Sequence, residues 1–159
     1  MTLLFVDTES DPVTKKPETI QMKYGENVEI FEDFNNLEPF NKAWSECDAV
    51  IMFNAPYDLG VLSSIEPNSY VYKERANETS WEMGNSWQMN ICGYTYTVLK
   101  LGFARNLISS KNGPPVIDLL KLWNILVSDK DNKLKTLIRK ELGEEAIEYS
   151  KENAKTRAY

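Results

Sequence analysis

"LLFVDTES" (Leu3–Ser10) is the stretch on which the reading of the whole chain turns. Leu3 to Val6 is a short apolar run with the composition of a buried strand. Two carboxylates follow, Asp7 and Glu9, one residue apart. Side chains alternate along a strand, so on a strand both acids face the same side, about 7 Å apart. Like charges at that distance raise each other's pKa and cost stability. A divalent cation between them removes that cost, and carboxylate-rich oxygen ligation suits Mg²⁺ or Mn²⁺. A second reading ends the strand at Val6 and leaves both acids in a solvated loop. The tripeptide alone does not choose between the two.

Outward from this stretch, Glu18 to Tyr24 alternates, "YGEN" turns, and Val28 to Phe31 returns, which predicts an antiparallel hairpin and a three-strand meander. Leu37, Phe40 and Trp44 recur at helical spacing and predict a short amphipathic helix over Leu37 to Ser45. "AVIMF" (Ala49–Phe53) is a continuous apolar run, the mark of a strand covered on both faces and usually a parallel one. Pro56 then opens a helix to about Ile65. Trp81 to Ile91 and Tyr94 to Leu101 are strand-like around a turn at Cys92 and Gly93. "SSKNGPP" (Ser109–Pro115) reads as a mobile loop. Val116 to Val127 is expected to be a helix, Leu134 to Leu142 a second with Gly143 as its stop, and Glu144 onward a third. The order predicts an α/β fold with a mixed sheet flanked by helices.

The chain has 159 residues, the size of one domain, and is 42% hydrophobic with 4 Trp, 8 Tyr and 6 Phe, enough to fill a core. Eighteen Lys and Arg against 24 Asp and Glu give a net charge of −6. That balance argues against a protein that holds nucleic acid on a broad basic surface. It does not exclude one that grips a few nucleotides at an acidic, metal-filled site. There is no His, which removes every His-based base, triad or metal centre. Cys47 and Cys92 lie far apart and read as buried thiols in a reducing compartment. No run approaches the ~18–20 apolar residues that span a bilayer, and the N-terminus has no signal-like region, so a soluble, intracellular protein without a membrane partner is expected.

The second charged segment is "FNAPYDLGVL" (Phe53–Leu62). Asp58 falls in the first turn of the helix after the buried strand. An acid there complements the helix dipole. It also stands at the carboxyl end of a parallel strand, where such sheets open their crevice, and so would project toward Asp7 and Glu9.

These segments, in this order, resemble the first two motifs of the DEDD superfamily of 3′–5′ exonucleases, tyrosine branch, with a ribonuclease H-like fold. The first has the form apolar-apolar-x-D-x-E, and the second is a strand followed by N-x-x-x-D, here Asn54 to Asp58. The third is Y-x-x-x-D on the last helix. Here "YSKEN" supplies Tyr149 and, in the fifth place, Asn153 instead of Asp. Residues four apart share a helix face. A rival register puts Tyr159 in the tyrosine's place; in either, the fourth carboxylate is missing. The likeness covers essentially the whole chain and is nearest to the proofreading domain of family A DNA polymerases.

The resemblance implies a single exonuclease-like domain over 1–159, with a β-hairpin inserted beside the ribonuclease H-like sheet. It implies two Mg²⁺ or Mn²⁺ ions held by Asp7, Glu9, Asp58 and Asn153, with Tyr149 orienting the attacking water. It places Asn54, Thr8 and Leu59 at the terminal nucleotide. The substrate would be a single-stranded or frayed DNA 3′ end, the partner a DNA polymerase, and the setting cytoplasmic, in a bacterium or phage. Asn153 predicts impaired hydrolysis, since an amide ligates without charge. The alternative is an inactive module that binds 3′ ends or a polymerase.

Three further features remain. Asp118 resembles an acid that the family often places at the head of this helix, and is expected to cap the helix start, with a substrate role as the alternative. Trp81, Trp87, Tyr94 and Tyr96 suit core packing or stacking on single-stranded bases. Lys100, Arg105 and Lys111 are candidate phosphate contacts or ordinary surface cations.

Overall fold

A computed structural model describes residues 1–74, 86–100 and 106–127. Met1–Leu122 form one compact unit.

The first strand, β1, runs from Leu3 to Ser10, so it does not stop at Val6 but carries both acids. Its inner face is Leu4, Val6 and Thr8, all buried; Phe5, Asp7 and Glu9 alternate with them on the open face. The strand persists because β2 (Pro17–Tyr24) pairs antiparallel along it, with Asp7 opposite Gln21 and Glu9 opposite Thr19, up to an irregularity after Glu9. β3 (Asn27–Phe31) completes the predicted meander.

The helix α1 (Glu38–Glu46) buries Phe40, Ala43 and Trp44. β4 (Ala49–Met52) is buried at all four positions and pairs parallel to β1 over Leu3–Phe5 only. Asn54 then turns the chain at φ 62°, ψ 52°, and α2 (Ala55–Ser63) begins. Val116–Asp118, predicted as the start of a helix, form a short strand β9 parallel to β4, and the helix α3 runs over Leu119–Val127. A short apolar run fits strand and helix periodicity equally. The free edge of β4, and Val50 donating to the Pro115 carbonyl at 2.9 Å, decide for the strand. The result is a mixed five-stranded sheet, β3-β2-β1-β4-β9, within an α/β fold.

The predicted hairpin, β6 (Ser86–Ile91) with β7 (Tyr94–Lys100), turns at Cys92 and Gly93, both at positive φ. It is the centre of a larger element. β5 (Ser69–Glu74) and β8 (Asn106–Ser110) flank it in a four-stranded antiparallel sheet, β5-β6-β7-β8. The helix α2 touches strands of both sheets. An aromatic chain joins them: Phe31 meets Phe40 at 6.1 Å, Phe40 meets Trp44 at 5.6 Å, and Trp44 meets Tyr96 edge-on at 5.8 Å. Tyr96, fully buried, therefore belongs to the core.

Ser109–Pro115, expected to be a mobile loop, begins inside β8 at Ser109 and Ser110, and the rest of it is tied down. Lys111 donates to the Thr95 carbonyl, Gly113 donates to the Ser110 hydroxyl at 2.7 Å, and the Tyr96 hydroxyl donates to the Pro114 carbonyl at 2.9 Å. Among the described residues no helix is long and apolar enough to cross a membrane.

Candidate functional site

The site is built where β4 ends before β1 does. Beyond Phe5, β1 has no strand partner on its β4 side. A buried strand N–H without a partner costs free energy. Asp58, in the first turn of α2, meets that need: its Oδ1 accepts from the Thr8 backbone N–H at 3.0 Å and from the Thr8 hydroxyl at 2.7 Å. Both residues are buried, Asp58 at 1% exposure. Next to this pair the Tyr57 hydroxyl lies 2.6 Å from the Ser10 hydroxyl. The first turn of α2 is thus fastened to the end of β1 at two consecutive residues.

The opposite oxygen, Asp58 Oδ2, is buried and has no hydrogen-bond partner. Burial pushes the Asp58 carboxyl up to about 7. The Thr8 hydroxyl bond opposes the rise, and the negative charges of Asp7 and, more weakly, Asp118 add to it. Asp7 itself sits on the open face of β1, yet crowding by its neighbours raises its carboxyl too, against a backbone hydrogen bond at Thr8 that lowers it. Glu9 is exposed on the same face.

Asp118 stands at the end of β9, opposite Met52. Its Oδ1 accepts from Leu120 N–H at 3.0 Å, the expected helix cap. The same oxygen accepts from Asn54 N–H at 3.0 Å, a bond that sequence reasoning missed. Its only local signal is a non-glycine residue poised to turn left-handed between a strand and a proline-opened helix. The Ser10–Tyr57 contact was missed as well; Tyr57 sits inside the second motif, but nothing near it in sequence points to Ser10.

The residues singled out from the sequence are therefore distributed as follows. Thr8 and Asp58 are directly bonded, and Asp7 lies near enough to Asp58 to act on its charge. Glu9 shares the Asp7 face. Asn54 forms the turn with its side chain exposed, while Leu59 is fully buried in the core. Trp87 and Tyr94 are half-buried against the core, and Lys111 is exposed. Tyr149 and Asn153, with Trp81, Arg105 and Tyr159, lie outside the described residues. Both cysteines are free thiols, Cys47 buried and Cys92 half-buried, and burial pushes them up to about 11 and 12. Neither is a nucleophile near neutral pH.

Among the described residues no three His, Cys, Asp or Glu side chains gather as a ready metal-holding group. What the arrangement offers is a buried acid with a spare oxygen, a second acid close by and a third on the same strand face. Comparison with family models, curated proteins and solved structures yields no match.

Proposed function

We propose that the chain is a metal-dependent 3′–5′ exonuclease acting on single-stranded or frayed DNA ends, impaired by Asn153. The observation that carries this reading is the buried, partnerless Asp58 Oδ2 beside Asp7. A carboxylate oxygen held out of water without a donor is costly, and a cation is the partner that suits it. The donor set fits a hard divalent ion, because every candidate ligand is oxygen. The strand order β3-β2-β1-β4-β9, with β4 and β9 parallel to β1, supports a ribonuclease H-like sheet with its crevice at the carboxyl ends of those strands.

On this reading Asp7, Glu9 and Asp58 hold Mg²⁺ or Mn²⁺, with the Asn153 amide oxygen as a fourth, uncharged ligand. A divalent pair activates water and offsets the charge that develops on phosphate. The chain's own part is positional. The Thr8 bonds fix one Asp58 oxygen and leave the other to bind. The Ser10–Tyr57 contact holds the first turn of α2 in place. Asn54 presents its side chain to solvent at the mouth, where a terminal nucleotide would lie. Tyr149 orients the attacking water. The net charge of −6 leaves little nonspecific grip on DNA, so a DNA polymerase partner would supply it.

The second reading, an inactive module that binds 3′ ends or a polymerase, is favoured by the lack of a three-acid group among the described residues and by Asn153. End-labelled single-stranded DNA with Mn²⁺ separates them. Stepwise shortening by Asn153→Asp, and little or none by the unsubstituted chain, supports the nuclease. No shortening by either supports the module.

A further inference from the structure

We infer that Asp118 is a positioning residue: through one carboxylate oxygen it clamps the β4–α2 turn and so holds Asp58 against Thr8. The metal-linked part of this inference rests on the function proposed above; the clamp itself does not. A helix cap needs only the bond to Leu120 N–H. Asp118 Oδ1 makes a second one of equal length, 3.0 Å, to the Asn54 N–H, across 64 residues of chain.

That second bond has a mechanical consequence. Asn54 is left-handed, a conformation that non-glycine residues adopt at a cost. Its side chain makes no cap bond of its own, so the turn is held from outside. The Asn54 carbonyl accepts from Tyr57 N–H at 3.0 Å, which ties the N-cap Asn54 to the first turn of α2, the turn that carries Asp58. A displacement at Asn54 therefore carries to Asp58, where bonds of 2.7 and 3.0 Å leave little slack. The placement of Asp118 follows from the sheet, since β9 pairs Asp118 with Met52, two residues before the turn. Two more bonds hold the base of this arrangement. Lys121 donates its ammonium to the Asn106 carbonyl, which ties α3 to β8. Val50 donates to the Pro115 carbonyl, which ties β4 to the lead-in of β9.

The test uses variants that split the two bonds. In Asp118→Ser the hydroxyl still caps Leu120 but is too short to reach Asn54 as well. In Asp118→Asn the amide oxygen can accept both. Amide hydrogen exchange is read residue by residue. The clamp predicts that Asp118→Ser speeds exchange at Thr8 and Asn54 by about tenfold, the loss of one hydrogen bond. Exchange along β2 and β3 should stay as in the natural chain, and Asp118→Asn should stay within about twofold at all of these positions. Unchanged protection of Thr8 and Asn54 in Asp118→Ser, or a uniform rise across the sheet, overturns the clamp and leaves Asp118 a helix cap. A Mn²⁺ titration of melting temperature runs alongside. A Mn²⁺-dependent rise in the natural chain that shrinks in Asp118→Ser and returns in Asp118→Asn supports the link to the metal. No rise in the natural chain removes the metal reading while the exchange result still decides the clamp.

Discussion

Thr8 and Asp58, 50 residues apart in sequence, are joined by two hydrogen bonds to one oxygen, at 3.0 Å from the backbone and 2.7 Å from the hydroxyl. The pairing does two jobs at once. It satisfies a strand N–H that no neighbouring strand reaches, and it turns the other Asp58 oxygen into a buried, partnerless acceptor. The first job stabilises the fold, whereas the second costs stability until something binds.

That cost is visible in pH. The Asp58 carboxyl is pushed up to about 7 in the folded chain, first by burial, from an ordinary value of 3.8. The folded state therefore holds the proton more tightly than the unfolded one, and stability is lost as pH rises from about 4 through about 7. Asp58→Asn keeps an oxygen for Thr8 and cannot ionise. Without metal it should be more stable than the natural chain at pH 8 by about 2–4 kcal/mol and nearly equal to it at about pH 3, below the unfolded-state value. Urea unfolding at the two pH values measures this. Equal stabilities at pH 8 would mean the carboxyl is not strained.

Mn²⁺ and the proton compete for the same carboxylate. The rise in melting temperature with Mn²⁺ should be larger at pH 8 than at pH 6, and absent in Asp58→Asn. A calorimetric titration at both pH values checks the direction.

Thr8→Val keeps the shape of the side chain and removes only the hydroxyl. The variant should lose about 1–2 kcal/mol of stability and raise the Asp58 carboxyl further, because a bond that favours its charged form is gone. Denaturant melts of the variant with and without Asp58→Asn should show the two changes to be non-additive.

Tyr96→Phe leaves the buried Trp44 indole N–H and the half-buried Pro114 carbonyl without this partner, since the hydroxyl accepts from Trp44 Nε1 at 3.0 Å and donates to the Pro114 carbonyl at 2.9 Å. A loss of about 2–4 kcal/mol is expected in equilibrium unfolding. The loop at Ser109–Pro115 should lose protection in hydrogen exchange.

Gly113→Ala tests the same corner by overfilling it. A methyl group there would lie 2.6 Å from the Tyr96 hydroxyl oxygen and 2.8 Å from Tyr94 Cβ and Cγ. About 1–3 kcal/mol should be lost, read as a lower urea midpoint at unchanged slope.

Much of the first half of the chain was legible in its residues. The alternation through Glu18–Phe31 marked the hairpin, the 37-40-44 spacing marked α1, and the apolar run Ala49–Phe53 marked β4. Pro56 marked the start of α2 to within one residue. Asp118 as a cap was legible too, because capping is local. The inserted sheet was only half legible: the β6–β7 hairpin has a compact turn, whereas β5 and β8 owe their strand form to that hairpin's edges.

Sequence by itself determined which segments alternate, which are apolar throughout and where acids stand, since those properties depend on neighbours a few residues away. It raised the question of Asp7 and Glu9 without answering it. Tertiary structure decided that β1 continues through both acids, because β2 pairs with it through Asp7 and Glu9. It also decided that Val116–Asp118 is a strand, because β4 had an open edge. Above all it placed Asp58 under Thr8 and Asp118 under Asn54, because β4 ends short of β1 and hydrogen-bond donors left there must find acceptors from distant parts of the chain.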